Sequence, residues 1–348
     1  MRFKSREDAV KIIRTAIDHG INYIDTAPEY RLADDIDNSE SWIGEAISKP
    51  GYRERLILTS KSSPYIYGKH EKGADYFRKG KGIDTADKSR RCIEQSLKRL
   101  KQDKLDAYHM WCVHDADIFR TAMSPGGWFE GVIRQKDKWR WLGITSHGDA
   151  DTIIQFLKTG IFSFVTIPLN VINRTRLAVV EYCKDKDIRV LAMNPFAGGF
   201  LAANDRLREL ALNYLLKLEN VTALIGFNRP EEVDYAVSVL NAREQNQETA
   251  EDILEEVNSI TNITDEHCTA CGYCAPCPQG INLGECLSLY NHFKYMNDQN
   301  AKKYFLWKQW DDFLRLDHCI ECMSCKEKCS NKLPLEKIIP DAKKLLYS

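Results

Sequence analysis

Ile21-Asn22-Tyr23-Ile24-Asp25 reads as a short buried strand that ends in an acid. Before it, residues 7–19 set Ala9, Ile12, Ile13, Ala16 and Ile17 on one helical face, and Gly20 stops that helix. The same alternation of helix and strand recurs as far as residue 240. Strands are predicted at 21–24, 56–60, 105–112, 140–145, 162–167, 188–193 and 221–225. Helices are predicted at 39–47, 85–100, 127–135, 150–158, 174–184, 206–217 and 230–240, the last with Pro230 in its first turn.

Strands and helices alternating at these lengths imply parallel strands joined by right-handed crossovers. A doubly wound sheet satisfies the same alternation. The polar residues favour a barrel: Asp25, Lys61, Trp111, Ser146, Asn170 and Gly226 all stand at or just past the C-terminal end of a predicted strand. In a (β/α) barrel that rim carries the active site.

The C-terminal part is dominated by Cys268-Thr-Ala-Cys271-Gly-Tyr-Cys274-Ala-Pro-Cys277-Pro278 and, further on, Cys319-Ile-Glu-Cys322-Met-Ser-Cys325-Lys-Glu-Lys-Cys329. Three thiolates at two-residue gaps on a tight loop can hold three corners of a cubane, while the fourth Cys points away to another cluster. Two [4Fe–4S] clusters with crossed ligation are expected. Cys268, Cys271, Cys274 and Cys329 hold one; Cys319, Cys322, Cys325 and Cys277 hold the other. A pair of zinc ribbons is the competing reading, but zinc draws four ligands from two separated pairs. Two details depart from the bacterial ferredoxin run: the gap before Cys277 is two residues instead of three, and Ser330 replaces the Pro after the last Cys. Between the runs, Leu283, Leu287, Leu289, Tyr290, Phe293, Tyr304, Phe305, Trp307, Trp310 and Phe313 are expected to form a small core, with an aromatic electron relay as the alternative. The acidic, polar stretch at 244–261 reads as a connecting helix, giving a barrel at 1–243 and an iron–sulfur domain at 262–348.

Composition narrows the function classes. The net charge of −1 over 348 residues offers no field for nucleic acid or a membrane surface. A hydrophobic share of 43% is ordinary for a globular protein, with no apolar run long enough to span a membrane and no signal-peptide core. Of 12 Cys, Cys92, Cys112, Cys183 and Cys286 stand singly, and free thiols beside clusters imply a reducing cytoplasm. Cys286 reads as a small buried apolar residue.

The segments GINYIDTAPEY (20–30), LILTSK (56–61), LDAY (105–108), LGITSH (142–147) and LIGFNRPEEV (224–233), in this order and with the cysteine module behind them, resemble an aldo/keto reductase fused to a ferredoxin-like domain. The resemblance runs from Ser5 to the C-terminus. It implies a (β/α)8 barrel that uses NADPH or NADH to reduce a small carbonyl, or to oxidise an alcohol, followed by a small, mostly helical ferredoxin-like iron–sulfur domain. Asp25, Tyr30 and Lys61 match the family's catalytic Asp, Tyr and Lys. Their chemistry is coherent: hydride arriving at a carbonyl carbon leaves charge on oxygen, which a positioned acid must protonate. An ammonium beside the Tyr eases loss of its proton, and a carboxylate keeps that ammonium charged. A structural ion pair at a barrel rim is the plainer reading of Asp25–Lys61. Trp111 stands where the family has His; an indole donates one hydrogen bond but cannot titrate, so activity is in question. His109 reads as a buried histidine one layer deeper, and His114 lies past the strand end.

For the cofactor, the resemblance implies contacts at Ser146, His147, Asn170, Gly226, Asn228 and Arg229. The helix that begins after Arg229 offers N–H groups to a phosphate, and Arg229 either pairs with a 2′-phosphate or is a solvated surface residue. The family also has a strand and a Gly-rich turn before residue 5, so the natural protein is expected to start upstream of Met1, and seven barrel strands are encoded here. Two functions remain open. One is a nicotinamide-dependent oxidoreductase with auxiliary clusters; the other is an iron–sulfur electron-transfer or binding protein, serving a redox protein partner, on a barrel with weakened carbonyl chemistry. Hydride carries two electrons and a cluster one, so the halves do not exchange directly.

Overall fold

A computed structural model describes residues 5–28, 30, 37–62, 86–261, 263, 267–308 and 314–348. Met1, Thr85, Trp310 and Phe313 lie outside these residues. The barrel part runs α1 (Arg6–Asp18), β1 (Tyr23–Asp25), α2 (Ser39–Ala46), β2 (Ile57–Ser62), α3 (Ala86–Leu100), β3 (Leu105–Met110), α4 (Ala116–Met123), α5 (Trp128–Ile133), β4 (Trp139–Thr145), α6 (Ala150–Leu157), β5 (Phe164–Pro168), α7 (Leu177–Lys184), β6 (Arg189–Met193), α8 (Asp205–Lys217), β7 (Val221–Ala223) and α9 (Pro230–Ala242). The remainder is α10 (Ala250–Thr261), α11 (Leu283–Met296), α12 (Gln299–Trp307), α13 (Ser324–Glu327) and α14 (Leu335–Tyr347).

The helices start where a side chain can receive an orphan backbone N–H. Ser5 accepts from Asp8, Asn38 from Ser41, Asp115 from Ile118, Asp149 from Thr152 and Asn204 from Leu207. Gly20, at φ +88°, ends the first of these units in a left-handed turn that favours glycine.

All strand pairs are parallel and the order is β1-β2-β3-β4-β5-β6-β7. The sheet curls into a half-barrel, with β1 and β7 as its edges among the described residues. The seven expected strands are these seven, shifted by a few residues. β3 ends at Met110 instead of residue 112, because Cys112 sits at φ +63° and its N–H turns to Thr145 Oγ1 at 2.8 Å. α7 begins at Leu177 instead of residue 174. The Asn170 amide oxygen there accepts from the N–H groups of Ile172 and Asn173, which makes a turn and leaves Arg176 at the helix start.

The main core lies between sheet and helices, around Leu58, Tyr108, Ile144, Val165 and Val190. Each such side chain contributes about 1.5–3 kcal/mol by leaving water. Close approach fixes some small residues: a Cβ at Gly143 would lie 2.1 Å from the Phe164 ring, and one at Gly44 would lie 2.6 Å from the Arg99 carbonyl oxygen. Beside that contact, Arg99 forms a buried ion pair with Glu40 at 2.7 Å. Ile253 and Val257 of α10, with Ile263, join this main core, so the helix after the barrel packs against it.

A second core gathers Leu283, Cys286, Leu287, Tyr290, Phe305, Leu314 and Ile339. Leu289 and Phe293 pack on its edge. The expected core was drawn too wide: Tyr304 is 41% exposed and Trp307 64%, because α12 turns that face outward. Cys286 is fully buried, as its surroundings suggest. No described helix is long and apolar enough to cross a membrane.

Candidate active site and cysteine-lined sites

Parallel strands in register carry successive strand ends to one rim. Asp25 closes β1 and pairs with Thr59, so Lys61, two residues further along β2, overhangs it. Lys61 Nζ donates to Asp25 Oδ2 at 2.6 Å and to the Thr26 carbonyl at 2.8 Å. The ammonium is 2% exposed. Burial works against its charge, but Asp25 and then Tyr30 outweigh that and hold Lys61 above its ordinary pKa. Its Nζ also lies 4.9 Å from the Tyr30 ring centroid. Burial pushes Tyr30 up, and Lys61 pulls it back less strongly, so the phenol keeps its proton at neutral pH. The Trp111 ring meets Tyr30 edge-on at 5.9 Å.

His109 lies one layer deeper. It is fully buried, with Nε2 3.6 Å from Asp25 Oδ1 and Nδ1 3.4 Å from Thr166 Oγ1. Its ring stands edge-on at 4.6 Å to the ring of Phe164, which fills the space that Gly143 leaves. Burial first, then Lys61, pushes its pKa well down, so the ring is neutral.

These groups face a cavity of about 670 Å³ that opens between β1 and β7. Asp25, Tyr30, Lys61, Trp111, His147 and Gly226 line it. Four other expected contacts do other work in this structure. The Ser146 hydroxyl accepts from the Gly148 N–H at 3.0 Å. The Asn170 amide donates to the Asn194 carbonyl at 2.9 Å. Asn228 N–H donates to Glu232 at 2.7 Å, and Arg229 is 72% exposed beside the same carboxylate. Ser146 and Asn170 shape the loops of the rim, and Asn228 and Arg229 cap α9.

The two cysteine runs fold into the same loop. In each, the third and fifth residues are left-handed: Ala270 (φ +51°) and Gly272 (φ +79°) in the first, Glu321 (φ +56°) and Met323 (φ +54°) in the second. Such turns point successive N–H groups into one concavity, which suits an anion. Cys268 has Cys271, Cys274 and Cys329 as electrostatic neighbours, and burial pushes its thiol up. Cys274 is raised to about 12, again chiefly by burial. Cys325 faces Cys319 and Cys322. A cavity of about 50 Å³ is lined by Cys277, Cys319, Cys322 and Cys325. Among the described residues, no three His, Cys, Asp or Glu side chains converge on a point that a single metal ion would fill.

The first cysteine run sits on the barrel rim. Tyr273 places its ring 4.4 Å from His147 and 4.6 Å from His114, and its hydroxyl 3.6 Å from Cys112 Sγ. His114 Nδ1 in turn accepts the His147 N–H at 3.0 Å. Arg176, 1% exposed, donates to the carbonyls of His147 and Gly148 and to Asn331. Lys332 reaches Asp149 at 2.9 Å. Despite some burial, Asp149 falls to about 2, through the Thr152 N–H and Lys332. Sequence reading passed over Tyr273 and Arg176. Tyr273 lies between Cys271 and Cys274 and carried a hint of place, whereas Arg176 carried none.

Comparison with known proteins fits this layout. A sequence model described as the Aldo/keto reductase family matches residues 2–209. The 6-dehydroglucose reductase of Novosphingobium aromaticivorans is 34% identical over a segment covering 32% of this chain and 33% of that protein. The L-galactose dehydrogenase of Arabidopsis thaliana is 24% identical, covering 74% of this chain and 87% of its own length. The chain spans about half of a third relative, the aldo-keto reductase YhdN of Bacillus subtilis (53% of its length, at 28% identity). Among solved structures, the holo form of a Bacillus halodurans aldo-keto reductase aligns with a TM-score of 0.58 at 21% identity, over 73% of this chain and 88% of that one. A Klebsiella pneumoniae aldo/keto reductase in complex with NADP and acetate aligns at 0.54 and 22% identity, over 73% and 85%.

Proposed function

The chain belongs to the aldo/keto reductase family, and we propose that it is an NAD(P)H-dependent reductase of small carbonyls, reversible toward alcohols, that also carries two [4Fe–4S] clusters. The observation that carries the first half is the buried contact of Lys61 with Asp25 and Tyr30 at the mouth of the cavity. The rim end of the cavity, bordered by Lys61, Trp111, His147 and by Gly226, whose α-carbon faces open space, would hold a nicotinamide nucleotide; the rest of the space is the seam between the sheet edges β1 and β7. When bound, the nucleotide supplies hydride to the carbonyl carbon. Tyr30 then donates its proton to the carbonyl oxygen. Lys61 stabilises the phenolate left behind, and Asp25 keeps the ammonium charged. Trp111 stands against Tyr30 and bounds the substrate side. Neutral, buried His109 sets the Asp25 carboxylate from below.

For the cysteines, a cubane carries its four thiolates on separate irons, so they stand further apart than the ligands of one ion. Two identical loops and a Cys329 that faces the first run support crossed ligation: Cys268, Cys271, Cys274 and Cys329 for one cluster, Cys319, Cys322, Cys325 and Cys277 for the other. Clusters of this kind belong in a reducing compartment such as the cytoplasm. Cys322 is exposed and its neighbour Ile320 is 62% exposed, which suits contact with a redox protein partner. We divide the chain accordingly into a barrel at 1–243, a connecting segment at 244–261 and an iron–sulfur domain at 262–348.

An electron-transfer protein on a reductase barrel is the second reading. It is favoured by Trp111 in place of a titratable donor and by Ser146 and Asn170, whose polar groups serve their own loops. A panel of small aldehydes and quinones assayed with NADPH and NADH, on anaerobically purified protein and its Lys61→Met variant, separates the two. Turnover that falls with Lys61→Met supports the reductase. Reduction of quinone by cluster-loaded protein pre-reduced with dithionite and freed of excess reductant, without nicotinamide and unaffected by that change, supports the carrier.

A further inference from the structure

Arg176 is a buried cation whose five N–H groups are all used. Nε donates to the Gly148 carbonyl at 2.8 Å and one Nη2 hydrogen to the His147 carbonyl at 2.7 Å. The others reach Thr175 Oγ1 and, twice, Asn331 Oδ1, each at 3.2 Å. Every one of these acceptors is neutral. A buried charge without an anion beside it is costly. The acidic side chains facing it are Cys271, Asp149 and Cys329, and Asp149 is already bridged by Lys332. Asn331 Nδ2 in turn holds Thr269 Oγ1 at 2.9 Å, beside Cys268. One guanidinium thus joins the turn that follows β4 to both ends of the first cysteine-lined site. Among the described residues the second site has no cation so deeply buried: Lys343 and Lys326 are paired with carboxylates, and Lys328, partly exposed, donates to the Pro276 carbonyl.

We propose that Arg176 is a positioning residue that holds uncompensated positive charge against the site of Cys268, Cys271, Cys274 and Cys329 and raises the reduction potential of the cluster there. This rests on the two-cluster reading above. Reduction adds one negative charge to a cluster, and a nearby desolvated cation stabilises that charge far more than a screened one does. The link through His147, which lines the barrel cavity, places the tuned cluster next to the reductase site.

The experiment is a dithionite potentiometric titration of the intact, anaerobically purified protein, read by electron paramagnetic resonance. Wild type is compared with Arg176→Gln, Arg176→Lys and Asn331→Asp. In Arg176→Gln, one of two midpoints is expected to fall by at least about 59 mV, a tenfold change in the oxidised-to-reduced ratio at fixed potential. The other midpoint stays. Arg176→Lys restores most of the shift. Asn331→Asp keeps the fold's own Arg176 but neutralises it, so the same midpoint falls even if Arg176→Gln does not fold. A wild type without cluster signals defeats the two-cluster reading. Two clusters with unmoved midpoints in Arg176→Gln or Asn331→Asp, or with both midpoints moved alike, overturn the role of Arg176.

Discussion

The barrel rim and the cysteine module solve the burial of charge in opposite ways. At the rim the charges are matched within the protein: Lys61 lies against Asp25, and His109 beneath them is neutral. In the module the thiols of Cys268, Cys274 and Cys329 are all pushed up by burial, and Arg176, near Cys271 and Cys329, has neutral hydrogen-bond partners only. The rim's ion pair is matched before anything binds, while Asp25 Oδ1 and His109 Nε2, 3.6 Å apart, stay without a hydrogen-bond partner among the described residues. In the two-cluster reading the module is completed by its guest, an iron–sulfide core that takes the module's own cysteines as thiolates. A site whose charge is matched internally is suited to repeated binding and release, and a site completed by its guest is suited to a resident one.

Crossed ligation gives the sharpest break in that comparison. Cys329→Ala should remove the cluster of the first run, and Cys277→Ala that of the second. Each variant should keep about four of about eight irons per chain. Loss of the nearer cluster in each variant, resolved by spectroscopy, would show that each run ligates its own.

The next effect belongs to the rim. Tyr30→Phe removes the acid while leaving the ring against Trp111, and should lower kcat by at least about 10²–10³, the range for loss of one oxyanion partner. Equal rates in variant and wild type would place the proton elsewhere. Trp111→His then asks whether the indole is a lost donor. Reduction should rise by up to about 10², the span of a well-placed acid–base group. A fall would instead assign Trp111 to substrate contact.

The smallest effect is one of pH. His109 has a folded-state pKa well below its unfolded value near 6.5. Below that value the unfolded chain binds a proton that the folded one refuses, so stability falls as pH falls. The limiting slope is about 1.4 kcal/mol per pH unit. Denaturant unfolding between pH 7.5 and 5.5 should show this component, and His109→Asn should flatten it. The same slope in the variant would place the proton uptake elsewhere.

The two regions were also unequally legible. The cysteine runs are contiguous, so their spacing alone suggested clusters, and the identical left-handed pairs at Ala270, Gly272, Glu321 and Met323 follow from that spacing. The rim residues lie far apart in sequence, and what announced them was their place at strand ends. Asp25, Lys61 and Trp111 meet at the cavity because parallel register carries those ends to one side. Ser146, Asn170, Asn228 and Arg229 were harder. A short polar side chain near a strand end serves a ligand or its own turn equally well, and here those of Ser146 and Asn170 hydrogen-bond within their own loops, while the Asn228 backbone N–H and the Arg229 side chain meet Glu232 at a helix start. Arg176 was invisible because its role depends on two carbonyls from one part of the chain and Asn331 from another. No local pattern encodes such a convergence.

The most direct measurement is calorimetric binding of NADPH and of NADH to the anaerobically purified protein and to Gly226→Trp. Gly226 lines the cavity and its α-carbon faces open space, so an indole there fills the cavity without displacing the fold. Saturable binding of one nucleotide per chain, lost in Gly226→Trp, is the predicted result. Absence of binding to the wild type, or unchanged affinity in the variant, would contradict a nicotinamide site between β1 and β7.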